Sequence, residues 1–139
     1  MENNKTVIIT GGGTGIGKGI ALKMASHDFN LVLASRNINN LNAVKNECLN
    51  LNNQNILTVQ TDITDEKSVA KLFQTTKNEF GSLDILVNNA GVFDGAPIDK
   101  ISIETWDKVL NINLRGAFLC LRESMKMMIP QKSGKIINI

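Results

Sequence analysis

Residues 5–22 read KTVIITGGGTGIGKGIAL, and this stretch decides the fold. The run 5–10 is short, β-branched and stopped by glycine, which predicts a buried strand. Beyond it Ile16, Ile20 and Met24 recur every fourth residue, which predicts a helix over 15–27. Between them, five of the seven residues 11–17 are glycine. A turn without Cβ atoms lets a phosphate approach the backbone. The helix start behind it offers free N–H groups and a partial positive charge. A nucleotide is therefore expected here; the alternative is a tight strand–helix turn that binds nothing.

The same alternation continues outward. Strands are predicted at 30–35, 55–60, 84–88 and 135–139. Helices are predicted at 38–51, with Leu41, Val44, Cys48 and Leu51 on one stripe, and at 65–80, with Val69, Leu72, Phe73 and Phe80 facing inward and Thr64 or Asp65 as cap. After Asn89-Ala90-Gly91 and a loop holding Gly95 and Pro97, a long helical region covers 103–129. Leu114, Phe118, Leu121, Met125 and Met128 form its stripe, and Pro130, Ser133 and Gly134 stop it. Strands alternating with helices imply βαβ units: an α/β fold with a doubly wound parallel sheet. No repeat or boundary divides 1–139, so one domain is expected. A hydrophobic last strand leaves an open sheet edge. Such domains run to roughly 200–250 residues, so the chain is expected to be the N-terminal portion of a longer fold, truncated after the fifth strand.

Composition excludes several classes. The 139 residues carry 15 Lys+Arg against 13 Asp+Glu, 42% hydrophobic and 20% charged residues, and a net charge of +2. That charge is too small to suggest nucleic acid or a membrane surface as partner. No apolar run approaches the ~18 residues of a membrane span, and no signal peptide is read at the start. The two cysteines, Cys48 and Cys120, match no metal spacing and read as reduced thiols, so a cytoplasmic location is expected. His27, the one histidine, has no partner at ligand spacing, so no metal site is expected. Trp106 and Met125, Met127 and Met128 are read as core or subunit interface.

Two nucleotide motifs fail. The spacing G-x-G-x-x-G occurs at no register, and the phosphate-loop pattern Gly12…Gly17-Lys18 ends on Gly19, where a magnesium-binding Ser or Thr is needed. T-G-x-x-x-G-I-G, from Thr10 to Gly17, does fit. Together with Asn88-Asn89-Ala90-Gly91, with Asp62 after the third strand and with Asn111-Ile112-Asn113-Leu114-Arg115-Gly116, it resembles the short-chain dehydrogenase/reductase family in order and spacing over the whole chain. The resemblance implies a Rossmann fold. It implies dinucleotide contacts at Gly11, Thr14, Gly15, Ile16 and Gly17, at Ser35 and Arg36, at Asp62 and Ile63 near the adenine, and at Asn89, Ala90 and Gly91.

The second strand ends in Ala34-Ser35-Arg36, with no acid to hold a ribose 2′-hydroxyl. A guanidinium attracts a 2′-phosphate that a carboxylate would repel. NADP(H) is therefore expected over NAD(H), unless Arg36 is only a solvated surface residue.

Hydride transfer to a carbonyl builds negative charge on oxygen, which calls for an acid within hydrogen-bond reach. In the family that acid is a Tyr, helped by a Lys, a Ser and an Asn that holds a relay water. Asn113 alone of these can be placed, and it also reads as a helix-interior residue bonding the backbone. The chain holds no Tyr. The resemblance thus implies an NADP(H)-dependent oxidoreductase acting on a carbonyl, hydroxyl or enoyl group, with 3-oxoacyl or enoyl thioesters as candidates. A homo-oligomer, dimer or tetramer, is implied for the complete protein. The 139 residues alone are expected to be inactive; the alternatives are a catalytically silent dinucleotide-binding module and, less well supported, a nucleotide triphosphatase.

Overall fold

A computed structural model describes residues 4–51 and 55–139. The chain start at 1–3, on which the signal-peptide reading partly falls, lies outside the described residues. β1 (Thr6–Thr10) leads into α1 (Gly15–Ala25), β2 (Asn30–Ser35), α2 (Ile38–Leu49), β3 (Ile56–Gln60), α3 (Glu66–Phe80) and β4 (Ile85–Asn88). α4 (Ile103–Leu110) then runs through a π-helical turn (Asn111–Gly116) into α5 (Ala117–Gln131), and β5 (Lys135–Asn138) follows. All strand pairs are parallel, in the order β3-β2-β1-β4-β5. The fold is the expected α/β doubly wound sheet.

Strand alternation builds two cores from one sheet. Ile8, Val32, Val59 and Leu86 point to the face covered by α3 and α5, where they meet Val69, Leu72, Phe73, Leu119 and Cys120. Val7, Ile9, Leu31, Leu33 and Val87 point to the face covered by α1 and α2, against Ala21, Ala25, Leu41, Val44 and Cys48. β1 is buried along its whole length. The order reverses at β1, so the ends of β1 and β4 open side by side into one crevice, the position where open α/β sheets take their ligands.

Three local readings are corrected. In α1 the face against the sheet is Gly17, Ala21 and Ala25, while Ile16 is 64% exposed. Gly17 sits inward because α1 starts directly against the glycine loop, and Ala21 and Ala25 sit inward against the sheet and α2. In the long helix Leu114, Phe118, Leu121 and Met125 are exposed, and of the predicted stripe only Met128 is buried. The inner face is Gly116, Leu119, Cys120, Ser124 and Met128. The helix also passes through Pro130 and ends one residue later, at Gln131, with Lys132 after it at φ 54°, because a proline in the last turn removes a single intrahelical bond. Smaller shifts are that α2 stops at Leu49, leaving Leu51 exposed, and that Asp65, not Thr64, caps α3 through the Lys67 N–H. Among the described residues no helix is long and apolar enough to cross a membrane, and no cluster of three or more His, Cys, Asp or Glu could hold a metal ion.

Candidate functional site

The crevice above β1 and β4 is a cavity of about 540 Å³. Its floor is the glycine loop. Gly11 and Gly15 hold φ of 65° and 53°, backbone that side chains with a Cβ rarely adopt. At Gly15 an added Cβ would meet nothing within 4 Å, so this residue presents bare backbone to open space. Gly17 is the opposite case: a Cβ there would run into the Gly11 carbonyl and lie 2.5 Å from Asn89 Nδ2. Gly17 is therefore buried beneath the loop and does not line the cavity.

Two residues hold the loop in shape. The Thr10 hydroxyl accepts hydrogen bonds from the Asn89 and Ala90 N–H groups, at 3.1 and 3.0 Å, and donates to the Val87 carbonyl. The Asn89 side-chain amide donates to the Thr10 and Gly11 carbonyls at 3.0 and 3.3 Å. The loop is thus tied to the end of β4. α1 begins behind it with Thr14 in extended conformation and no side-chain cap. α2, α3 and α4 are all capped, by Asn37, Asp65 and Ser102. The first N–H groups of α1 face the cavity without a side-chain acceptor, the arrangement that favours an anion.

The far wall comes from β2 and β3. Arg36 is exposed and lines both the main cavity and a shallower hollow over the start of α2. Its carbonyl accepts from Gln60 Nε2 at 2.9 Å, and the Ser35 hydroxyl donates to the Asn37 carbonyl at 3.3 Å. Asp62 Oδ1 accepts from the Thr64 N–H and hydroxyl at 2.9 and 2.7 Å. Those bonds, first the backbone one, hold the Asp62 carboxyl below its ordinary range, and the Arg36 charge adds a smaller push in the same direction.

Asn113 lies across the cleft in the π-helical turn. Its Oδ1 accepts from the Val92 N–H and its Nδ2 donates to the Val92 carbonyl, both at 2.8 Å. Each polar atom makes one backbone bond, and the amide keeps one further N–H and one further lone pair. The side chain lines a neighbouring hollow of about 620 Å³, with Phe93, Leu114, Phe118 and Leu121 as apolar wall.

The cavity thus gathers Gly11, Thr14, Gly15, Ile16, Ser35, Arg36, Asp62, Ile63, Asn89, Ala90 and Gly91, and leaves Gly17 below it and Asn113 beside it. Sequence reasoning passed over Thr61, Thr64, Val92, Lys108, Asn111 and Ile112, which also line it, and Thr10, which braces it. Thr10 was visible as the first letter of T-G-x-x-x-G-I-G, Asn111 and Ile112 stood in the run 111–116, and Thr64 was read only as a cap; Thr61, Val92 and Lys108 carry no local signal.

With this geometry in view, the comparisons with known proteins are direct. The short chain dehydrogenase family matches residues 5–139, and the chain belongs to that family. An uncharacterized oxidoreductase of Staphylococcus aureus (strain MW2) is 32% identical over 136 residues, covering 98% of this chain and 58% of that protein. Among solved structures, levodione reductase is 35% identical with a TM-score of 0.93, over 96% of this chain and 53% of the other. The citronellol catabolism dehydrogenase of Pseudomonas aeruginosa PAO1 is 33% identical with a TM-score of 0.89, over 96% and 54%. An actinorhodin polyketide ketoreductase solved with NADPH superposes with a TM-score of 0.94 over 99% and 53%, but at 24% identity the likeness is one of fold. The chain spans between half and three fifths of the length of these relatives.

Proposed function

We propose that this chain forms the NADP(H)-binding portion of a short-chain oxidoreductase. The observation that carries the reading is the uncapped start of α1 behind bare glycine backbone, facing a β2 end that offers Ser35 and Arg36 and no acid. Gly11, Thr14, Gly15 and Ile16, which line the cavity at the uncapped start of α1, would receive the pyrophosphate. Ser35 and Arg36 would take the 2′-phosphate, Asp62 and Ile63 the adenine, and Asn89 to Gly91 the nicotinamide side. Gly17 and Asn89 act by holding the loop, and Asn113 by holding Val92.

When bound, the nicotinamide supplies or accepts a hydride. The proton that must accompany it needs an acid, and the 139 residues hold no tyrosine. The chain as given therefore binds and orients the dinucleotide without completing the reaction. The apolar hollow beside Asn113 suits the acyl part of a carbonyl, hydroxyl or enoyl substrate, thioesters included. Met125 and Ile129, exposed further along α5 and outside that hollow, suit pairing of subunits in a homo-oligomer working in the cytoplasm.

Titration of the chain and of Arg36→Leu with NADPH and NADH tests this. Loss of charged hydrogen bonds to a phosphate should weaken NADPH about 10- to 100-fold and leave NADH within about twofold. Equal weakening of both overturns the cofactor assignment. No binding of either dinucleotide by the parent chain overturns the whole reading.

A further inference from the structure

We propose that Arg115 is a positioning residue for the adenine-side wall of the cleft, acting through the main-chain carbonyl of Thr64. The proposal rests on the dinucleotide reading given above and extends it to a residue that does not line the cavity.

Arg115 lies in the π-helical turn Asn111–Gly116, two residues past Asn113. Residues two apart on a helix point to nearly opposite sides. Asn113 accordingly reaches Val92, and Arg115 reaches Thr64, donating from Nη1 to its carbonyl at 2.7 Å across 51 residues of sequence. Thr64 is then held at both ends, because its N–H and hydroxyl bind Asp62 Oδ1. Between Asp62 and Thr64, Ile63 packs on the next residue of the turn: a Cβ at Gly116 would lie 2.6 Å from Ile63 Cδ1. Asn111 and Ile112 complete the turn's contribution by lining the cavity itself. One turn of helix thus locates both loops that flank the cleft, and Arg115 is its hold on the adenine side. π-Helical turns concentrate at functional sites. Here the reason is visible, since the turn must serve two loops at once. Glu66 at the start of α3 steadies the guanidinium at 3.9 Å and pairs more closely with Arg122, at 3.4 Å, whose other charge partner is Glu123 and whose guanidinium lies over the Phe118 ring.

The test measures 2′,5′-ADP, the adenosine half of the ligand, by calorimetric titration, and amide hydrogen exchange at residues 62–64. It compares the parent chain with Arg115→Met, Arg115→Lys and Arg122→Gln. Arg115 is half exposed, so its truncation opens no cavity. Arg115→Met should weaken 2′,5′-ADP about three- to tenfold, the range for one partly exposed charged hydrogen bond, and speed exchange at 62–64. Arg115→Lys, which can still reach the carbonyl, should recover most of both effects, and Arg122→Gln should change neither. Unchanged affinity in Arg115→Met, or equal loss in Arg122→Gln, overturns the proposal. If the parent chain fails to bind 2′,5′-ADP, the dinucleotide reading falls; exchange at 62–64 then decides separately whether Arg115 sets the wall.

Discussion

Two glycines in α1 should respond to alanine with opposite signs, because one is crowded and the other is not. At Gly17 the new methyl would collide with the Gly11 carbonyl and lie 2.5 Å from Asn89 Nδ2. These are backbone and a braced amide, neither of which can swing aside. Overpacking of this kind costs about 2–3 kcal/mol. Expelling the Asn89 amide from the Thr10 and Gly11 carbonyls costs about 2 kcal/mol more, and the gain in helix propensity returns about 1 kcal/mol. Gly17→Ala should therefore lose about 3–4 kcal/mol, which for a chain of this size lowers Tm by about 10–15 °C. At Gly19, exposed and with nothing within 4 Å of an added Cβ, only the propensity term operates. Gly19→Ala should raise Tm by about 2–4 °C. Thermal unfolding followed by circular dichroism reads both variants, with no ligand present. A Gly17→Ala protein that melts within 2 °C of the parent would refute the close packing of α1 on its loop.

Two further outcomes follow from the titrating groups. Asp62 has a lowered carboxyl pKa, so its charge stabilises the fold fully above the ordinary carboxylate range, and that contribution is lost as pH falls through the lowered value. Urea midpoints should show Asp62→Asn less stable than the parent at pH 7 and converging with it near pH 2; a constant gap at both pH values rules this out. Burial pushes the Cys120 thiol up to about 12 and raises that of Cys48. Iodoacetamide at pH 8 should thus label neither in the native chain and both in urea, by mass spectrometry; rapid native labelling contradicts the burial of both.

The strands were legible because β-branched runs such as TVIIT at 6–10 have only one compact use when buried on two faces. The helices were legible as helices, and in α2 and α3 the inward face was legible too, but in α1 and α5 it was not. Counting large apolar residues finds Ile16, Ile20 and Met24 in α1, of which Ile20 and Met24 only flank the core; close approach to the loop at Gly17 and to the sheet at Ala21 and Ala25 selects small residues, which a hydrophobicity count scarcely registers. In the π-helical turn and α5 the same count finds Leu114, Phe118, Leu121 and Met125, which lie on the more exposed face. For the cleft, glycine spacing and the missing acid after β2 pointed to the loop and to Arg36. Thr64 and Val92 could not be found that way, because their part is played by main-chain groups met across 51 and 21 residues.

The tie between Thr10 and Asn89 means that the glycine motif is not a portable unit. Transplanting residues 6–25 into another strand–helix junction would carry every glycine and none of the four hydrogen bonds that arrive from residues 89 and 90. The excised segment would be a supple hinge, and what makes it a cradle is a neighbour that translation delivers some eighty residues later.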